Sequence, residues 1–155
     1  MGKIFKWNGK FEIFSKNIHT KKIIKIDEVK NLITDYAKYV LVNVLIGFEA
    51  VSDIEIKYCA IGDDNTAVAG TDDKLYNEVF RTAYVSRSNP TSNVINTDFY
   101  VLDTDYSGAI EEIGIFCGTA ATAAADSGNL LSRALWSYTK SSSEQIYIKR
   151  VDTIS

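Results

Sequence analysis

Three charged residues stand alone among apolar neighbours. They are Arg81 at the end of Leu75-Tyr-Asn-Glu-Val-Phe-Arg81, Glu112 in Ile110-Glu-Glu-Ile-Gly-Ile-Phe116, and Arg133 at the end of Leu130-Leu-Ser-Arg133. An isolated charge in such surroundings is costly unless paired, so the first chemistry they offer is a buried ion pair. Glu111 and Glu112 have the residue types of a catalytic carboxylate couple. Adjacent strand residues point to opposite faces, however, so these two cannot act on one substrate. Glu112 shares strand parity with Ile110, Gly114 and Phe116, which places it inward or along the sheet rim, paired with Arg81 or Arg133. Such a pair fixes register more than it adds stability.

The remaining reactive residues form no motif. Gly62-Asp-Asp-Asn-Thr66 with Asp72-Asp73 offers the oxygens of a calcium loop but lacks EF-hand spacing. These aspartates, like Asp103 and Asp105, read as solvated turn residues. His19, the single histidine, lies in a lysine-rich segment and reads as a surface residue; no G-x-S-x-G elbow is present. Cys59 and Cys117 lack the spacing of a zinc site and sit in apolar strand patterns. They read as buried free thiols, with a disulfide left open because it needs facing Cβ atoms. There is no phosphate loop and no dinucleotide fingerprint. The expectation is a non-enzymatic protein with no catalytic residue, metal or cofactor.

The elements that position these residues are mostly strands. A chain of 155 residues is long enough to bury one core without staples. Ile4–Trp7, Asn8-Gly9 and Lys10–Phe14 predict a two-residue hairpin, since Asn-Gly tolerates the positive φ of a type I′ turn. Lys22–Ile26 predicts a further strand. Val29, Leu32, Ile33, Tyr36, Ala37, Val40, Leu41, Val44 and Leu45 follow helical spacing, which predicts one helix at about residues 28–46. Asp27 would cap it and Gly47 would end it. Its polar stripe shrinks to Asn43 beyond Val40, so its C-terminal half is expected to be buried on most sides. Ile54–Ile61, Val79–Arg87, Val94–Asp103, Ile110–Cys117, Leu130–Ser137 and Gln145–Val151 predict strands, separated by turn-rich stretches that include Ser88–Asn93. The Ala-rich segment 118–129 reads as a mobile loop. The pattern is mainly β: an antiparallel sandwich or jelly roll with an N-terminal hairpin and one packed helix.

Charge divides the chain into a basic N-terminal arm, 1–25, and a domain, 26–155. Residues 1–25 hold seven Lys against Glu12, a net +6 within a total of -3, which leaves -9 for the rest. A pI near 5.2 and few arginines argue against nucleic acid and for docking on an acidic neighbour. The most apolar run, Tyr36 to Phe48, is too short to span a membrane, and no signal peptide is visible. The expectation is a soluble protein made in the cytoplasm.

Read in order, Lys30-Asn-Leu-Ile-Thr34, Tyr58-Cys-Ala-Ile-Gly62, Leu75–Arg81, Glu112-Ile-Gly-Ile-Phe116, Leu130–Arg133 and the late Lys140 resemble a recurrent pattern of small β-rich virion proteins. These belong to tailed bacteriophages and related phage-tail-like particles, at tail-fibre, baseplate or neck-collar positions. The similarity covers about residues 27–151. It departs where the family often carries Gly-Thr-Gly and this chain has Gly62-Asp-Asp-Asn.

The resemblance implies a structural virion component, made in the host cytoplasm, that self-associates as a ring or trimer and docks on other virion proteins. Nucleic acid and membrane are not among its partners. Residues 1–25 lie outside the pattern; Lys6, Trp7, Lys10 and Phe11 are the expected subunit contact, with aromatic anchors and complementary lysines. On that reading the arm is removable without unfolding the domain. The alternative is a carbohydrate-binding sandwich at a fibre tip recognising a host surface polymer through Tyr84, Tyr100, Tyr106 and Trp136.

Overall fold

The computed structural model describes residues 6–155. Ten strands form two antiparallel five-stranded sheets. In chain order they are β1 (Trp7–Asn17), β2 (Ile23–Lys30), β3 (Leu32–Ile33), the helix α1 (Asp35–Leu45), β4 (Ile56–Gly62), β5 (Glu78–Ala83), β6 (Ser86–Thr91), β7 (Val94–Val101), β8 (Gly108–Cys117), β9 (Asn129–Lys140) and β10 (Glu144–Ile154). The first sheet runs β2-β1-β10-β7-β6 and the second β3-β9-β8-β4-β5. The chain changes sheet four times: at Asn31 between β2 and β3, at Tyr84-Val85 between β5 and β6, and again between β7 and β8 and between β9 and β10. The mainly β, antiparallel sandwich expected from the alternating patterns is the fold observed.

Apolar alternation explains the core. Phe11, Ile13, Phe99, Val101, Ile146 and Ile148 point inward from the first sheet, against Cys59, Ile61, Ile113, Ile115, Leu131 and Trp136 from the second. A smaller cluster of Ala60, Leu75, Phe116, Ala121 and Leu130 lies on the outer face of the second sheet. The loops 63–77 and 118–128 roof that face. Cys59 and Cys117 are buried and free; they sit on paired strands two rungs apart, Cys59 opposite Ile115 and Cys117 opposite Ile56.

Four expectations are corrected. No turn forms at Asn8-Gly9: β1 runs straight through it and pairs along its whole length with β10. The hairpin lies further on, where Asn17 Oδ1 accepts the His19 and Thr20 amides and Lys21 takes φ +60°. The basic segment is therefore no separable arm, because β1 lies between β2 and β10 and delivers Phe11 and Ile13 to the core. The helix starts at Asp35, not near 28, since residues 23–30 pair with β1 as a strand rich in β-branched residues. Thr34 caps it instead of Asp27: its Oγ1 accepts the Ala37 amide at 3.1 Å and donates to the Leu130 carbonyl at 2.7 Å. Gly47, at φ +78°, ends it as expected. The predicted strand 79–87 breaks where the chain changes sheets, and Ser88–Thr91, expected as a turn, continues as edge strand β6. Pro90 fits there because an edge strand has one free hydrogen-bonding side.

Candidate functional site

β8 carries a register shift between Ile110 and Glu112. Ile110 consequently packs between the sheets, while Glu112 faces outward with Gly114 and Phe116. A β-bulge of this kind re-aims side chains. Glu112 and Arg133 are fully buried all the same, because loop 63–77 covers them. Arg133 Nε donates to Glu112 Oε2 at 2.7 Å, Nη1 donates to Asp72 at 3.1 Å, and Nη2 donates to the Thr66 carbonyl at 2.8 Å. Its guanidinium sits 4.6 Å from the Tyr76 ring centre. Glu112 also accepts the backbone amides of Tyr76 and Asn77, at 3.2 and 2.9 Å. Gly62 makes room for it: a Cβ there would lie 2.7 Å from Glu112 Cγ.

Arg81 is not part of this cluster. It forks onto Glu78, with Nη2 to Oε2 at 2.7 Å, and donates to the Thr122 and Ser127 carbonyls at 3.1 and 2.9 Å. Phe116 lies beneath it at 4.4 Å. These arginines therefore do not cross-link the two sheets. Each fastens one loop to the outer face of the second sheet: Arg133 holds 63–77 and Arg81 holds 118–128. The Ala-rich segment, expected to be mobile, is held by these bonds and by Ser127 Oγ, which donates to the Ala124 carbonyl at 2.6 Å.

The charge that does lie between the sheets is Arg150. It is fully buried and forks onto Asp152 at 2.7 and 3.0 Å, and it donates to Ser132 Oγ on the opposite sheet. Trp7 Nε1 donates to the same Asp152 at 2.9 Å, and Phe11 lies 5.2 Å from the guanidinium. The Asn31 amide, oriented with its NH2 toward the Gly9 carbonyl at 2.8 Å, turns its oxygen to Ser132 and Arg150. Gly9 is a close-approach glycine: a Cβ would meet Arg150 Cζ at 2.6 Å. The signal for this cluster was present in β10, where Ile146, Ile148, Arg150 and Asp152 share one parity.

The expected subunit contact is redistributed. Phe11 is 0% exposed and belongs to the core, so it cannot anchor a partner. Trp7 is half-buried and bound to Asp152; Lys10 lies between Glu12 and Glu28 at 3.1 and 3.2 Å. Only Lys6 stays plainly exposed. The acidic turns are likewise engaged locally. Asp72 holds Arg133, Asp64 accepts the Thr66 amide, Asp103 accepts Gln145 and Asp105 accepts the Leu102 amide. Among the described residues no group of three or more His, Cys, Asp or Glu could hold a metal. Glu111, the neighbour of Glu112 on β8, is half-buried outside that cluster and bound by Ser137 at 3.2 Å.

Of the four aromatics expected to stack on sugars, Trp136 is buried in the core, Arg87 covers Tyr84 at 3.6 Å, and the Tyr106 hydroxyl donates to Ala109. Tyr100 joins Phe14 and Tyr147 in a row across three strands, with centroids 5.1 and 5.4 Å apart.

What remains open is one end of the sandwich, which α1 closes. Ala37 and Val40 face the core, but the other side of the helix is apolar too. Tyr36, Tyr39, Val42, Leu45, Ile46 and Phe48, with Val51 in the following 3-10 turn, are exposed; Leu45 reaches 75% and Phe48 79%. The expectation of a buried C-terminal half is thus corrected: Asn43 turns inward, its amide donating to the Tyr39 carbonyl at 3.0 Å, and the apolar residues around it face water. Together these seven side chains expose roughly 800 Å², above the roughly 300–600 Å² of an ordinary monomer's largest apolar patch. Beside them opens a cleft of about 280 Å³, lined by Trp7, Leu41, Ile56, Ile95, Leu131 and Ile154. Asp152 is also in its wall, and the Arg87–Glu55 pair at 3.0 Å marks its polar side. Arg87 and Lys57 hold the Glu55 carboxyl below its ordinary range.

No helix among the described residues is long and apolar enough to cross a membrane. Compared with known proteins, the chain matches no family model, no curated protein and no solved structure.

Proposed function

We propose that this chain is a structural component of a tailed-bacteriophage or phage-tail-like particle, made in the host cytoplasm, that works by self-association and docking on other virion proteins. The observation that carries the association is the apolar end of the sandwich. Seven large side chains in water on one helix and its following turn mark a surface that another protein covers. The buried charges support a non-enzymatic role. Arg81, Glu112, Arg133, Arg150 and Asp152 are engaged with their own chain, in a frame that holds loops and strands. The phage setting rests on the order of short sequence words from Lys30 to Lys140, which the sandwich arranges on adjoining strands of one sheet and at the cap of α1.

The test is the composition of gradient-purified particles from the source that encodes the chain. The reading expects the protein in intact particles at a fixed stoichiometry set by particle symmetry, and particles lacking the gene to be incomplete or non-infectious. Finding the protein only free in the lysate, with complete and infectious particles in its absence, would refute it.

A further inference from the structure

The exposed helix and the cleft beside it carry a more specific statement, which rests on the self-association reading and names the partner. We infer that a second copy of this chain covers the apolar end, with Phe48 of one copy entering the cleft of the next. Three observations lead to it.

The first is area. Roughly 800 Å² of exposed surface on these seven mostly apolar residues of one copy is about what each partner buries in a stable interface of standard size. An isolated side chain or a small ligand would leave most of it wet. The second is shape. The cleft, at about 280 Å³, falls just under the roughly 300–1,000 Å³ of small-molecule sites and suits a single large side chain. Leu41 lies in the cleft wall, Leu45 stands one turn further along α1, and Phe48 follows just past the Gly47 turn that ends the helix. The hole and the knob are thus neighbours on one surface of one chain. Phe48, at 79% exposure, does not fill its own chain's cleft.

The third is polarity. The exposed helix face carries one close ion pair, Lys38 with Asp35 at 3.3 Å, and the cleft's polar side is the matched Arg87–Glu55 pair. Glu49 beside Phe48 and Asp53 after Val51 have no salt bridge among the described residues, so a like copy must leave these two carboxylates at the rim of the contact, and a net charge of -3 gives little long-range repulsion. An aromatic anchor in an apolar pocket with a polar rim is the usual centre of binding energy.

The experiment mixes two full-length variants, Phe48→Cys carrying one tag and Ile95→Cys carrying another. Mild oxidation follows, after which the mixed disulfide is measured. Both positions are exposed, so neither change disturbs the fold, and the native thiols are buried. The expected result is a mixed-tag disulfide in high yield, absent when Phe48→Cys is replaced by Phe48→Ser. Sedimentation of Phe48→Asp should show self-association weakened at least about 30-fold with an unchanged melting temperature. If the wild type self-associates but Phe48→Asp sediments like it and no mixed disulfide forms, the contact is elsewhere; this inference fails while the assembly reading stands. If the wild type is a monomer at its highest soluble concentration and Phe48→Asp alone drops out of purified particles, the occupant is another virion protein and the second-copy inference is overturned. A monomeric wild type with Phe48→Asp retained in particles removes the apolar end as a docking surface altogether.

Discussion

Replacing Glu112 by Ala should be the most damaging single change to this protein's charged frame. The carboxylate is fully buried and serves three donors: Arg133 Nε at 2.7 Å and the amides of Tyr76 and Asn77. Its loss leaves two backbone N–H groups without partners and a buried guanidinium with Asp72 as its only carboxylate. Breaking a buried pair from one side costs about 3–5 kcal/mol. At the roughly 2–4 °C per kcal/mol typical of a domain this size, the melting temperature should fall by about 6–20 °C. Glu111→Ala is the internal control: the same residue type one position away, outside the buried cluster and bound only by Ser137, should change stability by no more than about 0.5 kcal/mol. Urea melts at constant m-value, with thermal melts alongside, measure both. The triple variant Glu112→Gln, Arg133→Met, Asp72→Asn should recover part of the loss, since removing all three charges leaves no unpaired ion in the cluster. A Glu112→Ala protein within about 1 kcal/mol of wild type would refute the reasoning.

Further outcomes follow from the same structure. Deleting residues 1–20 removes β1 with Phe11 and Ile13, so the product should show no cooperative melt; a cooperatively folded truncation would restore the separable arm. Gly9→Ala pushes a methyl onto Arg150 and should cost about 1–3 kcal/mol, measured by urea unfolding, whereas wild-type stability would mean that Arg150 does not sit there. At Glu144 burial favours the neutral acid, but hydrogen bonds from Ser15, the Ser141 amide and Tyr138 outweigh it and hold the carboxyl below its ordinary range. A carboxyl depressed on folding contributes stability above its unfolded pKa and loses it as pH falls through the folded value. Between about pH 5 and 3 the wild type should therefore lose more stability than Glu144→Gln, and parallel pH profiles would contradict this. Burial, with a smaller push from Asp53, raises the Cys117 thiol to about 12, so iodoacetamide at mildly alkaline pH should label it only on unfolding.

Much of the fold was legible because burial on one side of a strand writes period two into the sequence. Ile113, Ile115 and Cys117 declare β8, and Ile146 and Ile148 declare β10. Parity fails where a bulge intervenes. At Ile110–Glu112 the register shift puts neighbours of equal parity on opposite faces, which is why Glu112 read as inward-facing. The Glu112–Arg133 pair was still recoverable, since a lone charge in an apolar strand needs a partner. Arg81 was not separable from it, because Glu78 lies only three residues away and local pairs leave no strand-to-strand signal.

Asn8-Gly9 misled for a different reason: the glycine is there to admit the Arg150 fork, and a close approach reads like a turn. Helical spacing over residues 29–33 lost to pairing with β1 and with β9, a tertiary effect no local pattern records. The exposed apolar end was least legible of all. Its residues have helical spacing on every side, and a second apolar face looks like deeper burial when the partner is another molecule.

Sedimentation velocity of the wild type beside Leu45→Asp, over a range of concentrations, tests the central claim most directly. Leu45 is three-quarters exposed and touches neither buried charge cluster, so the substitution leaves the fold intact. The account predicts that the wild type shifts from monomer to a defined oligomer as concentration rises, while Leu45→Asp stays monomeric with the same melting temperature. Two superimposable monomeric profiles would contradict it.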